Sequence, residues 1–245
     1  MKCQIRDNST GGKFSSPPEL VENVVPFRVG ARIMCAGVSG SGKSTFVQNL
    51  IKFAREMFEV LPVSILFCSH RGSQKLGTEF RAVADAAGSP INFVEQIPGE
   101  DEQFPEHSLL IFDDMLTGSD LNEQAARLEP YFTRIAHHQK LYVLVTCQNL
   151  FSNSRHFRQI SSNANYLILF KSFRMLHQIR HLAQLVLGAG NVRQLIEICK
   201  AATGKGQYSH ILFDWHNLTD NRVRYLSNLF EENGEPCIAY QLTDF

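Results

Sequence analysis

Apolar positions along the chain alternate between short unbroken runs and segments of helical spacing. Residues 33–36 (Ile-Met-Cys-Ala) form a run of strand type that ends in a glycine-rich turn. Phe46, Val47, Leu50, Phe53, Ala54 and Met57 then recur at intervals of three and four, which predicts strand, loop and an amphipathic helix over 45–58. Pro62 is followed by a β-branched run over 63–68. Leu76 opens a helical pattern over 76–87 that Gly88 and Pro90 stop. Residues 91–94 read as a short strand, and 109–112 as four apolar residues closed by two aspartates. The pattern continues with a helix over 121–136, buried strands over 141–147 and 166–170, and a helix that includes 179–186. A strand over 211–213 and a helix over 223–230 complete it.

Buried strands alternating with helices are the mark of an α/β fold with a parallel sheet, whose loop chemistry gathers along one sheet edge. Residues 1–28 carry turn formers, with Asn8, Gly11, Gly12, Pro17 and Pro18, and read as an N-terminal arm. The core is expected over 29–190 and a C-terminal extension packed on it over 191–245. At 245 residues and 44% hydrophobic content the chain can bury a full core. The six cysteines lack C-x-x-C spacing, and three sit in apolar runs, so free thiols in a reducing compartment are expected. With no signal-type apolar segment and no run of membrane-spanning length, the expectation is an intracellular protein with no membrane partner. His137 and His138 lack cysteine or carboxylate neighbours at ligand spacing and make a poor metal site.

The chemistry begins at Gly37-Val-Ser-Gly-Ser-Gly-Lys-Ser44, which fits G-x-x-x-x-G-K-[ST] between a predicted strand and a predicted helix. Such a loop turns successive N–H groups toward a polyphosphate, so Gly37, Ser39, Gly40, Ser41, Gly42, Lys43, Ser44 and Thr45 are the candidate ATP-binding residues. Lys43 reaches the β and γ phosphates, and Ser44 is a candidate ligand for Mg²⁺. Asp113 and Asp114 end the run 109–112 as a Walker B element. Asp113 is the second Mg²⁺ candidate, and Asp114 is either the group that orients the attacking water or the N-cap of a turn or helix. Gln148, at the end of strand 141–147, is a γ-phosphate sensor or a strand-end turn residue. Arg134 is an arginine finger or a cation favoured by a helix C-terminus.

Net charge is zero, yet residues 130–196 hold eight Lys and Arg and no Asp or Glu. A segment of that kind suits a polyanion, and Arg155, Arg158, Lys171 and Arg174 are candidate contacts to DNA phosphates; a solvated face is the alternative.

Taken in order, 37–44, 109–114, Thr133-Arg-Ile-Ala-His-His138, Leu144-Val-Thr-Cys-Gln-Asn149 and 160–171 with its Ser-x-Asn-x-x-Tyr pattern resemble the segments of viral genome-packaging ATPases of the FtsK/HerA superfamily. The resemblance covers about residues 30 to 185. It implies a three-layer P-loop NTPase of RecA-like type with an additional strand between the Walker elements and a catalytic acid. It also implies a homo-oligomeric ring, pentamer or hexamer, that drives double-stranded DNA into a preformed capsid at a vertex or portal protein, inside the infected host cell or associated with the virion. By motif position Lys43, Ser44, Asp113, Asp114 and Gln148 carry over, and Arg134 matches the arginine before the sensing strand. A viral replicative helicase or other DNA-stimulated ATPase, a nucleoside kinase and a non-hydrolysing scaffold are the alternatives.

Overall fold

The computed structural model describes residues 1–7, 19–70, 76–171, 176–187, 191–204, 206, 208–231 and 236–242. Its strands are β1 (Cys3–Asp7), β2 (Leu20–Val21), β3 (Arg32–Ala36), β4 (Ile65–Cys68), β5 (Ile91–Val94), β6 (Leu109–Phe112), β7 (Tyr142–Cys147), β8 (Tyr166–Phe170), β9 (His210–Asp214), β10 (Tyr225–Ser227) and β11 (Cys237–Gln241). The helices are α1 (Lys43–Lys52), α2 (Ala54–Met57), α3 (Leu76–Ala87), α4 (Leu121–Pro130), α5 (Ala136–His138), α6 (Arg155–Asn163), α7 (Leu176–Leu187) and α8 (Val192–Thr203). The chain divides into two compact units. One is Val25–Ala36 with Lys43–Leu167, and the other is Met1–Val24, Gly37–Gly42 and Ile168–Phe245.

In the first unit the strands run β3-β7-β6-β4-β5, every neighbouring pair parallel. β4, β6 and β7 are buried along their whole length, as expected for a parallel sheet flanked by helices. β7 therefore lies between the strand that leads into the phosphate-loop motif and the strand that carries the two aspartates. This is the additional-strand order that the resemblance implies, and it places residues 113–114 and 146–148 at the ends of adjacent strands. Tyr142 anchors the start of β7. Its ring stacks edge-on against Phe58 at 4.6 Å, and its hydroxyl accepts from Val60 N–H (3.1 Å) and donates to Val60 O (2.9 Å).

The helix expected over 121–136 forms as α4, a π turn at Tyr131–Ile135, and α5. Pro130, which has no N–H to give the preceding turn and whose ring crowds the carbonyl four residues back, closes α4, and the π turn follows with the Ala136 N–H donating to Tyr131 O. The Arg32 guanidinium donates to Phe132 O at 3.0 Å and satisfies one carbonyl of the widened turn. The helix expected over 45–58 is likewise broken, into α1 and α2, at Phe53.

In the second unit β10 runs antiparallel to both β9 and β11, β11 is parallel to β1, and β2 closes antiparallel on β1. The segment expected as an arm thus holds β1, which pairs from Cys3 to Asp7 with Cys237 to Gln241. The helix expected over 223–230 is not formed. A short 3₁₀ turn at Asn221–Val223, capped by Asp220, leads instead into β10. Tyr225, Leu226 and Ser227 are all buried, and a strand buried on both faces has no period-two signal to distinguish it from a helix. α7 packs on α8, and α8 on β9. All six cysteines are buried free thiols. Among the described residues no helix is long and apolar enough to cross a membrane.

Two measurements check these packing assignments. Tyr142→Phe keeps the ring and removes both hydrogen bonds to Val60, and is expected to lower unfolding free energy by about 1–3 kcal/mol in urea titration; no change would show that solvent replaces both bonds. His210 on β9 is buried, with Nδ1 3.3 Å from Tyr208 O, and burial lowers its pKa from 6.5 to about 4. The unfolded chain then takes up a proton that the folded chain refuses, so this contribution is complete above pH 6.5 and is lost as pH falls toward 4. It amounts to at most about 3 kcal/mol. His210→Gln should flatten that part of the stability–pH curve.

Candidate active site

Asp113 and Asp114 follow β6 directly, and the structure holds them through one residue of β7. The Thr146 hydroxyl accepts the Asp114 backbone N–H at 2.8 Å and donates to Asp113 Oδ1 at 2.8 Å. Thr146 is fully buried, so neither bond competes with bulk water. Asp113 is further fixed by its own N–H, which donates to Cys68 O of β4 at 2.8 Å. Asp114 takes a left-handed backbone conformation, φ 55°, which Asp tolerates better than most residues and which ends the strand abruptly. Gln148 stands two residues beyond Thr146, on the same side of the strand. Its Nε2 is 3.5 Å from Asp114 Oδ1.

Asp114 is therefore not the N-cap of a regular helix: α4 begins only at Leu121. The Thr117 hydroxyl donates to Asp114 O at 3.1 Å, so the backbone after the acid is a turn held by side chains. Asp114 and Gln148 come together, and the structure adds Thr146, which the sequence reading places only within the buried strand 141–147. Its polarity inside Val-Leu-Val-Thr-Cys was the available signal, since a hydroxyl in a fully buried strand needs partners.

Lys43 opens α1, with Ser44 and Thr45 exposed in its first turn and Phe46, Val47, Leu50 and Ile51 buried beneath. The thiols of Cys35 and Cys147 lie within electrostatic reach of the Lys43 ammonium. Cys35 also senses Asp113, and Cys147 senses Asp114, so the lysine and both acids share one neighbourhood of the unit. Burial pushes Cys35 well above the usual thiol range and Cys147 up to about 12, with Lys43 opposing in both cases. Both remain neutral thiols that add no negative charge near Lys43.

The loop Gly37–Gly42 has the features of an anion cradle. Gly40 and Gly42 have φ of 75° and 103°, and Ser41 N–H donates to Val38 O at 3.2 Å. A Cβ at Gly37 would meet Ser41 Oγ at 2.5 Å and Phe170 Cβ at 2.9 Å, so only glycine fits where the loop leaves β3. Ser41 Oγ is buried and makes no hydrogen bond among the described residues, a polar atom with capacity to spare inside the loop. Ser39 and Gly40 are exposed at the loop tip. These residues fit a polyphosphate. Ser44 and Asp113 supply the hard oxygen donors that Mg²⁺ takes, whereas among the described residues no cluster of three His, Cys, Asp or Glu could hold a metal by itself.

Arg134 lies in the π turn, exposed and ion-paired with Glu100. Two further side chains of the acid-free segment also meet acids from outside it: Lys140 pairs with Glu106 at 3.0 Å, and the His156 ring lies against Glu129. The charge asymmetry of the sequence is thus partly cancelled in space. Arg155 and Arg158 project from α6, whose Phe157 and Ile160 are buried. Both are exposed and, among the described residues, in no ion pair. Lys171 is exposed after β8, its N–H donating to Ser209 O at 3.4 Å. Arg174 lies outside the described residues.

No protein-family model matches the chain, and no curated protein matches it. Solved structures similar to it include the genome packaging NTPase B204 from Sulfolobus turreted icosahedral virus 2. In its sulfate complex the likeness covers 77% of this chain and 93% of that one at 13% identity, TM-score 0.46. In its AMP complex it covers 77% and 94% at 13% identity, TM-score 0.44. The KaiC-like protein PH0186 from Pyrococcus horikoshii OT3 is similar over 88% of this chain and 96% of that one, at 12% identity and TM-score 0.44.

Proposed function

We propose that the chain is a Mg²⁺-dependent ATPase that translocates double-stranded DNA as a homo-oligomeric ring, pentamer or hexamer, and packages viral DNA into a preformed capsid at a vertex or portal protein. The observation that carries the hydrolytic part is the Thr146 bridge, which orients the Asp113 carboxylate and fixes the Asp114 backbone, leaving the Asp114 carboxylate beside Gln148. A loop that only bound nucleotide would have no use for a second, independently positioned carboxylate. The packaging part rests on the ordered motif series, and the DNA part on the exposed Arg155 and Arg158 of α6.

Mg²⁺ held by Ser44 and Asp113 would neutralise charge on the β and γ phosphates. Lys43 binds the same phosphates, and the loop N–H groups orient the chain. Asp114 accepts a proton from the attacking water or fixes its lone pair toward phosphorus, and Gln148 relays the presence of the terminal phosphate to β7. Arg134 serves a neighbouring subunit. Its pair with Glu100 is exposed at both ends and holds it weakly, by about 0–1 kcal/mol, so the arginine can leave for a transferring phosphoryl group. Single-strand binding as in a helicase calls for exposed stacking aromatics, and among the described residues only Tyr208 is an exposed aromatic.

The first test is ATP hydrolysis without DNA, with duplex and with single strands, at two salt concentrations. Duplex-selective, salt-sensitive stimulation is expected, and selective stimulation by single strands would replace the packaging reading with the helicase. Lys43→Ala should lose nucleotide binding, and Asp114→Asn should bind normally with kcat down about 10²- to 10⁴-fold. Thr146→Val should lower kcat with KM nearly unchanged, and Thr146→Ser should restore it; equal loss in both variants would reduce Thr146 to a packing residue. Arg134→Ala rings should be inactive alone and rescued in mixture with wild type. Normal turnover of the homogeneous mutant ring would remove the finger. Arg155→Ala and Arg158→Ala should each lower duplex affinity for all sequences alike and reduce the salt slope by about one.

A further inference from the structure

Five of the six tyrosines, Tyr131, Tyr142, Tyr166, Tyr225 and Tyr240, are buried at 4% exposure or less, whereas Tyr208 is 52% exposed. Its position is not that of a surface residue left at random. A Cβ built on Gly42 would lie 2.8 Å from Tyr208 Cδ1, 3.0 Å from its Cβ and 3.2 Å from its Cγ, so the side chain rests directly on the backbone of the last loop residue before Lys43. Gly42 is thus held to glycine twice, by φ of 103° and by the ring. The backbone that leads from the ring into β9 is held by two contacts. Tyr208 O lies 3.3 Å from His210 Nδ1, and Ser209 O accepts from Lys171 N–H at 3.4 Å, just where β9 begins.

The face of the ring, unlike its hydroxyl, has nothing to offer a phosphate, which calls for O–H or N–H groups, cations or metal. What the ring offers is a flat apolar face with a polar tip. The component of a nucleoside triphosphate that matches this face is the base, joined through the ribose to the phosphates that the loop takes. Stacking there would cover the one aromatic that the described surface leaves exposed, at little rotamer cost because Tyr has only two side-chain torsions.

We propose that Tyr208 is the platform on which the nucleotide base stacks, a specificity-determining residue contributed by the turn before β9. The assignment rests on the nucleotide-binding reading above and names the part of the ligand that the Walker motifs do not read. Stacking responds to the size of the π surface and not to its hydrogen-bonding edge, so purine triphosphates bind better than pyrimidine ones, with ATP and GTP close to each other.

The test compares ATP with inorganic tripolyphosphate, which has no base, by calorimetric titration of the full chain with Mg²⁺. Tyr208→Ala should weaken ATP about 5- to 100-fold while leaving tripolyphosphate within twofold, and Tyr208→Phe and Tyr208→Trp should retain ATP affinity. Unchanged ATP affinity in Tyr208→Ala overturns the platform. So does equal loss of ATP and tripolyphosphate, which would mean that the ring only shapes the loop. If the wild-type chain binds neither probe, the nucleotide reading itself fails and this one falls with it.

Discussion

The chemistry of this chain turns on one buried hydroxyl. Thr146 has a single proton to donate and gives it to the Asp113 carboxylate, while its lone pair takes the Asp114 N–H. With both roles assigned the hydroxyl cannot rotate, and its immobility is passed to two adjacent acids that would otherwise sample the end of a strand freely. Burial makes the arrangement strict, since removing either partner would strand a polar group away from water. Parallel pairing of β6 with β7 sets the geometry in the first place, because it brings residue 146 alongside residues 113 and 114.

Elsewhere in that unit Arg134 is presented from a π turn and not from a regular helix, and the Arg32 guanidinium, at the start of β3, donates to Phe132 O of that turn. The buried thiols Cys35 and Cys147 lie within electrostatic reach of Lys43, and burial keeps them neutral, so they add no counter-charge to that of Asp113 and Asp114. In the other unit, Phe170 beside Gly37 and Tyr208 against Gly42 shape the phosphate loop from within its own unit, at positions that glycine alone can occupy.

Much of the parallel core was legible in the sequence. Runs such as Leu109–Phe112 and Tyr166–Phe170 emerge with the bounds that their composition predicts, because a strand buried on both faces of a parallel sheet admits nothing but apolar residues. The later elements were less legible for the same physical reason. Tyr225–Ser227 is buried on both faces yet only three residues long, so its apolar neighbours Val223, Leu229 and Phe230 complete a false helical spacing. β1 and β11 sit 234 residues apart at Cys3 and Cys237, and no local pattern announces a partner at that distance.

What the sequence determined by itself is the set of groups tied to local backbone: a loop whose glycines allow left-handed turns before a helix, and carboxylates placed at the end of an apolar run. These follow from short-range sterics and burial, which a window of ten residues contains. Only the tertiary structure decided which groups meet. Strand order put Thr146 against Asp113, spatial pairing set Glu100 and Glu106 beside Arg134 and Lys140 and Glu129 beside His156 in a segment that has no acid of its own, and the start of β9 laid Tyr208 on Gly42. Such contacts depend on register and packing between residues far apart in the chain, and Coulomb and hydrogen-bond energies depend on distance in space, not on distance in sequence.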